Sequence, residues 1–271
     1  MSAISSTSFS TTPSTTPVIT PVHIPSPAAD AAVSISNLHA YYGESHILHG
    51  VSLEVKRGEL ITLLGRNGAG RTTTLKAILG LTGKRAGSIK INGVEAIGMP
   101  SHKIARLGLG YCPEERGIFS SLSCEENLLL LPKVGLGRSG GNANANAGMS
   151  VEELYAMFPN LKERRASQGT RLSGGEQQML AMARILRTGA DILLLDEITE
   201  GLAPVIVQVL GRVIRELKAK GFTIIMVEQN FRFAAPLADR HYVMEHGKIA
   251  AIVEKHELAT KTEMLHEFLG V

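Results

Sequence analysis

At 271 residues the chain is long enough for one large domain, or one domain carrying a subdomain, around a sizeable core. A formal charge of +3, with no basic blocks and no RNA-binding motif, gives no case for a nucleic-acid partner, and no apolar run approaches the roughly 20 residues that span a bilayer. The two cysteines, Cys112 and Cys124, read as ordinary thiols of a reducing compartment rather than a disulfide framework.

Residues 1 to about 31 are rich in Ser, Thr and Pro and poor in charge and large apolar side chains, so they bury too little surface to offset their ordering entropy and are expected to be disordered. A targeting peptide is the rival reading, but the segment lacks arginines and a compact apolar region. Order is expected from about residue 32, where Val33-Ser34-Ile35 and then Val51 to Val55 alternate with period two, as strands of an antiparallel sheet do. The apolar run Leu60 to Leu64 follows, of the kind that makes a strand buried on both faces, and Thr74 to Leu79 reads as a helix.

Between that strand and that helix lie Gly65, Arg66, Asn67, Gly68, Ala69, Gly70, Arg71, Thr72 and Thr73. The spacing is that of a phosphate-binding loop, G-x-x-x-x-G-K-[ST], with arginine where lysine is expected. Its glycines let the backbone curl so that N–H groups point inward, and the helix behind adds its unpaired amides and positive dipole end. Thr72 is placed to bind a magnesium ion, with Thr73 one residue further along the turn. A guanidinium still binds phosphate, often bidentately, but it is longer, planar and forked; nucleotide binding is expected to survive and turnover to be slower than with lysine.

A short strand is expected at Ser88 to Ile91, with a turn at Asn92-Gly93, and from about Pro113 to Arg187 the pattern is helical. Within that stretch residues 134–148 are dominated by Gly and Asn and read as a flexible insertion. Ser173-Gly174-Gly175-Glu176 fits a capping box that opens a helix, yet two glycines in a first turn cost roughly 1 kcal/mol each against alanine. Bare backbone there suggests close approach to something, and exposed helix amides suit a γ-phosphate.

Ile192 to Leu195 is an apolar run that delivers Asp196 and Glu197 to the C-terminal edge of a central parallel strand, where open α/β sheets bind ligands. In a nucleotide site Asp196 would hold magnesium and Glu197 would act as general base on the attacking water. The chain then returns to alternation: a helix after Pro204, a strand at Phe222 to Val227, a helix after Asn230, and two strands joined by the Glu245-to-Lys248 turn. His246 reads as a solvated turn residue, and the nine histidines show no ligand spacing.

The loop, Leu172-Ser173-Gly174-Gly175-Glu176-Gln177-Gln178 and Leu193-Leu194-Leu195-Asp196-Glu197, in this order and separation, resemble the ATP-binding subunit of an ABC transporter. His39 to Gly43, Tyr111 to Phe119, Glu200 to Pro204 and Val227 to Asn230 are similar to one branch, the ATPases of branched-chain amino acid importers, and most to the smaller of their two subunits. The resemblance implies a P-loop NTPase of ABC type: an α/β fold with a mostly parallel central sheet, an antiparallel β subdomain and an inserted helical subdomain at about 113–187. It implies ATP hydrolysis coupled to transport, with ATP and Mg2+ bound.

For single positions the resemblance implies that Tyr42, or else Tyr41, stacks on the adenine. It places Glu114 where most relatives have the glutamine that senses magnesium, and Gln229 where most have a histidine on the γ-phosphate. Gln229 can still donate that hydrogen bond but does not titrate near neutral pH. Ser173, Gly174, Gly175 and Gln177 of one subunit would face ATP held by another. Ala203 stands where many relatives carry an aspartate that crosses the interface. Ile198 replaces a proline, which predicts a looser strand end.

The partners implied are a second ABC ATPase subunit, usually a paralogue, with a homodimer possible in isolation. Two membrane permeases and, indirectly, an extracytoplasmic substrate-binding protein complete the set, so the chain is expected at the cytoplasmic face of the inner (plasma) membrane as a peripheral subunit. Importers of urea or short amides carry very similar ATPases, and a weakly hydrolysing nucleotide-sensing subunit is a further alternative suggested by Arg71, Ala203 and Gln229. A soluble ABC ATPase of translation or DNA repair would show two nucleotide domains, a coiled-coil insertion or zinc-binding cysteines, which this sequence lacks.

Overall fold

The computed structural model describes residues 30–130 and 148–270. The expected disordered extension, apart from its last two residues, and the expected insertion, apart from Gly148, lie outside the described residues.

The chain opens with β1 (Ala31–Tyr42) and β2 (Ser45–Lys56), paired antiparallel through a turn at Gly43-Glu44. β3 (Leu60–Leu64) leads into the loop and α1 (Arg71–Ile78), followed by β4 (Arg85–Ile91), β5 (Val94–Glu95), α2 (Ser101–Ile104) and β6 (Leu109–Cys112). Helices α3 (Cys124–Leu129), α4 (Val151–Met157), α5 (Pro159–Glu163) and α6 (Gly174–Arg187) come next. β7 (Ile192–Asp196), α7 (Pro204–Ala219), β8 (Thr223–Val227), α8 (Phe231–Ala234), β9 (Arg240–Glu245), β10 (Lys248–Glu254) and α9 (Thr262–Leu269) complete the described chain.

Two sheets result. One is antiparallel, in the order β2-β1-β4-β5, and the other runs β10-β9-β3-β8-β7-β6, parallel throughout except for the β9-β10 hairpin at its edge. The apolar runs explain the second sheet. In β3, Leu60 and Leu64 pack into the core beneath α6 and α7, while Ile61 and Leu63 face the core shared with β1, β2 and α1. β7 divides the same way, Leu193 and Leu195 to one side and Ile192 and Leu194 to the other. Period-two alternation with no polar face is what two covered faces require, and each such side chain contributes roughly 1.5–3 kcal/mol by leaving water.

Because β3, β6, β7 and β8 are parallel and in register, with Leu63 opposite Val227, Asp196 opposite Val227 and Cys112 opposite Leu195, their C-terminal ends lie along one edge. That edge receives the loop after β3, Glu114 after β6, Asp196 and Glu197 from β7, and Gln229 after β8. Sequence segments more than 150 residues apart meet there for this reason alone. The strand end at Ile198 is not loose, contrary to expectation. Ile198 is fully buried, Glu197 N–H donates to Val227 O at 2.9 Å, and Thr199 N–H donates to Glu228 Oε1 at 3.1 Å, so both neighbours pin it to β8 and the residue after it.

Candidate functional site

The loop between β3 and α1 closes on itself around bare backbone. Gly65 has φ 151° and sits so close to the Met244 carbonyl of β9 that a Cβ would collide with it. Gly70, at φ 101°, precedes α1, no side chain caps that helix, and Arg71 to Thr73 of its first turn line a cleft. The cleft, about 480 Å³, is lined by Asn67 to Thr73 together with Ile47, Glu114, Glu197, Glu200 and Gln229. Arg66 points elsewhere: its guanidinium donates to the Glu267 carbonyl of α9 at 2.9 Å.

Arg71 is folded into this cleft rather than extended from it. Its guanidinium donates to Glu197 Oε1 at 2.9 Å, to Asn67 Oδ1 at 3.2 Å and to the Glu228 carbonyl at 3.3 Å, with the side chain only 4% exposed. The fork that distinguishes arginine from lysine is what allows one side chain to serve acceptors on three segments.

Thr72 Oγ1 donates to Asp196 Oδ1 at 2.9 Å, and the Tyr111 hydroxyl donates to Asp196 Oδ2 at 2.9 Å. Burial raises the Asp196 carboxyl above its ordinary value, and these two hydrogen bonds oppose that rise. Glu197 sits at φ 46°, a left-handed conformation that costs a non-glycine residue roughly 1–2 kcal/mol. Its Oε2 accepts from the Gln229 amide at 2.9 Å. Burial and a hydrogen bond with Glu200 push its carboxyl up, against the pull of Arg71 and Gln229, which makes it a stronger base than an exposed glutamate. Burial, then Glu200 and Glu115, likewise raise Glu114.

Glu114, Glu197 and Glu200 bring carboxylate oxygens within 4.8 Å of one another, the candidate cluster for a metal among the described residues. With Thr72 and Asp196 bonded to each other beside it, the donor set is all oxygen, which suits a hard ion such as magnesium and not a soft one. Sequence reasoning missed Glu200, whose signal was its place one turn after Glu197, and Tyr111, whose role depends on strand pairing that no local motif reveals.

Two expected nucleotide contacts are engaged within the chain. Gln177 accepts from Arg116 at 2.9 Å and donates to the carbonyls of Gly169 and Leu172 at 3.0 and 3.2 Å, so its amide spans its own subdomain. Gly175 has an intrachain reason to lack a side chain, since a Cβ would meet Ile206 at 2.8 Å; at Gly174 a Cβ would meet only the flexible guanidinium end of Arg116, at 3.1 Å. Ser173 forms the capping box with Glu176 and is itself exposed. Tyr41 stacks on His46, with ring centroids 4.2 Å apart, whereas Tyr42 is 42% exposed and free to stack, although it lies outside the cleft lining. Ala203, which begins α7, offers that helix no capping bond.

The phosphate loop, the Asp196-Glu197 pair and the Ser-Gly-Gly helix start thus stand on one fold in the order the resemblance requires, and the profile of the ABC transporter family matches residues 48–200. The chain belongs to the ABC transporter ATPase family. It is 40% identical over 240 residues to the high-affinity branched-chain amino acid transport ATP-binding protein BraG of Pseudomonas aeruginosa, covering 88% of this chain and 99% of that one. It is 31% identical over 240 residues to the lipopolysaccharide export system ATP-binding protein LptB of Escherichia coli, covering 89% and 98%. Among solved structures, an ATP-binding subunit of an ABC transporter superposes with a TM-score of 0.73 at 26% identity, over 89% of this chain and all of the other. The expected fold and the resemblance to the branched-chain amino acid branch are borne out, and the ABC chain is an ATPase. Among the described residues no helix is long and apolar enough to cross a membrane.

One acid of this ABC site titrates in the neutral range. Glu228 is 2% exposed, and burial drives its carboxyl from 4.5 to about 7 despite hydrogen bonds from Thr199. The folded chain therefore holds a proton that the unfolded chain has lost between about pH 4.5 and 7, and stability falls as pH rises through that window. Above pH 7 the full cost is on the order of 3 kcal/mol. Glu228→Gln is expected to melt higher than wild type at pH 8, with the difference closing towards pH 5, in thermal denaturation followed by circular dichroism.

Proposed function

We propose that this ABC ATPase powers import of branched-chain amino acids as the smaller of two paralogous ATPase subunits. Near-complete coverage of BraG at 40% identity is the observation that carries the cargo class. The similarity to LptB at 31% shows how little of the cargo is written in an ATPase subunit, since that relative serves lipopolysaccharide export.

In this reading the amides of Gly68 to Thr73 and the Arg71 guanidinium bind the phosphates, with Tyr42 on the adenine. Glu197 takes the proton of the attacking water, and the Gln229 amide, now bonded to Glu197, orients it and the terminal phosphate. Thr72, Asp196 and Glu114 would hold magnesium, which, when bound, neutralises charge developing on the phosphates. Ser173 to Gly175, at the start of α6 with Ser173 exposed, would close over ATP held by the second subunit. Gln177 supports that helix start through its bonds to Gly169 and Leu172 instead of touching nucleotide.

The segment from about 113 to 187 would dock on two permeases at the cytoplasmic face of the membrane. Phe119, Leu129 and Leu130, 45%, 58% and 52% exposed, are apolar side chains left facing outward there. An extracytoplasmic binding protein would be engaged through the permeases. A weakly hydrolysing partner subunit, the alternative suggested by Arg71, Ala203 and Gln229, is favoured in the structure by the engagement of Glu197 by Arg71.

The test is reconstitution of the chain with its neighbouring permeases, the paralogous ATPase and the binding protein in vesicles. Leucine-loaded binding protein is expected to stimulate ATP hydrolysis and drive leucine uptake. Stimulation by urea or a short amide, with none by leucine, isoleucine or valine, would reassign the cargo.

A further inference from the structure

Glu228 is a buried acid next to the site that hydrolysis itself does not use. It directly follows the apolar strand β8, where a space-filling residue would be aliphatic like Ile224 to Val227 before it. A carboxyl in that position is costly unless its oxygens are hydrogen-bonded. Thr199 reaches both: Oε1 accepts the Thr199 N–H at 3.1 Å and Oε2 accepts the Thr199 hydroxyl at 2.8 Å, and the Asn230 N–H bonds to the carboxyl as well. The main-chain carbonyl of Glu228 accepts from Arg71 at 3.3 Å, and the next residue, Gln229, donates to Glu197 at 2.9 Å.

Thr199 is itself 7% exposed and starts the turn that ends at Ala203 and α7, with Leu202 N–H donating to the Thr199 carbonyl at 3.3 Å. The ring is closed: Arg71 to Glu197, Glu197 to Gln229, and Glu228 back to both Arg71 and the turn after Glu197. We propose that Glu228 is a positioning residue that ties the Thr199-to-Ala203 turn to the phosphate-facing groups Arg71 and Gln229, so that a displacement at either end reaches Glu197. This rests on the ATPase reading of the site and deepens it. The charged groups facing the Glu228 carboxyl are Glu197, which raises its proton affinity, and Arg71 at its main chain; the Asn230 N–H also bonds to it.

The role requires two acceptor positions matched to Thr199, which glutamine reproduces: its carbonyl accepts the N–H and its amide donates to the hydroxyl. Purified full-length chain is assayed for steady-state ATP hydrolysis from pH 6 to 9 and for binding of a fluorescent ATP analogue, as wild type, Glu228→Gln, Glu228→Ala, Thr199→Val and Glu228→Ala/Thr199→Val. E228A is expected to lower kcat about tenfold with nucleotide affinity within about twofold, because geometry and not binding is disturbed. T199V is expected to act in the same direction, and the double variant to be no worse than E228A, as for one interaction removed twice.

E228Q is expected to keep kcat within about threefold of wild type while losing an inflection in the wild-type profile near pH 7, where the carboxyl of Glu228 titrates. Should E228A fold poorly, the E228Q profile and T199V decide. The proposal is overturned if E228A turns over like wild type, if the E228A and T199V losses multiply, or if E228Q retains the inflection. A wild-type chain that binds the analogue without hydrolysing ATP overturns the ATPase reading and this inference together; the other failures overturn the inference alone.

Discussion

Glu197→Gln is expected to lower ATP turnover at least a hundredfold while leaving nucleotide bound at least as tightly as in wild type. Positioned general bases contribute on the order of 10²–10⁴ in rate, and glutamine keeps the shape and the Gln229 contact but has no basic oxygen to take a proton. Removing the carboxylate charge also releases the Arg71 guanidinium from its 2.9 Å ion pair. A buried cation without its counter-charge favours an anionic ligand, so the phosphates gain a partner that they otherwise share with Glu197. Phosphate release measured beside equilibrium binding of an ATP analogue checks both halves. Turnover at the wild-type rate would move the chemistry to another residue.

The parallel sheet was legible because β3, β7 and β8 are apolar on every residue, or nearly so, and short. Such runs belong to strands covered on both faces, and the division of Leu60 from Ile61 and of Leu193 from Leu194 between two cores shows that covering. The loop, Asp196 and Glu197 were legible because their spacing is set by local backbone geometry. What depends on strand register was not. Tyr111 meets Asp196 only because β6 pairs with β7, and Glu228 meets Thr199 across 29 positions of sequence because Glu197 N–H is bonded to β8. The second glycine of α6 has a further reason that no motif reveals: Ile206, from the distant start of α7, already occupies the space a side chain at Gly175 would need. A proline-to-isoleucine change reads as lost rigidity, yet the N–H groups of Glu197 and Thr199 on either side are bonded to Val227 and Glu228.

Arg71→Lys is expected to raise turnover by up to about tenfold, and Arg71→Ala to weaken nucleotide binding by about a hundredfold or more; the contrast between them separates the charge of this residue from its shape. Charge is needed at the loop in either form, because the phosphates and Glu197 are all anionic and alanine leaves them facing one another where the Glu197 side chain is largely buried. Shape decides the rate. In the arginine form one planar fork spans Asn67, Glu197 and the Glu228 carbonyl, so the carboxylate meant to receive a proton is already a hydrogen-bond acceptor of a cation. Lysine offers a compact charge on a shorter reach and cannot hold those three acceptors in the same way, which leaves Glu197 to Gln229 and to water. ATPase rate and nucleotide affinity measured for both variants test this directly. A lysine variant no faster than wild type would show that the fork does not restrain Glu197 during turnover. The bonds of Arg71 to Asn67 and to the Glu228 carbonyl would then be what this site needs to place its phosphates, and a charge of another shape would place them less well.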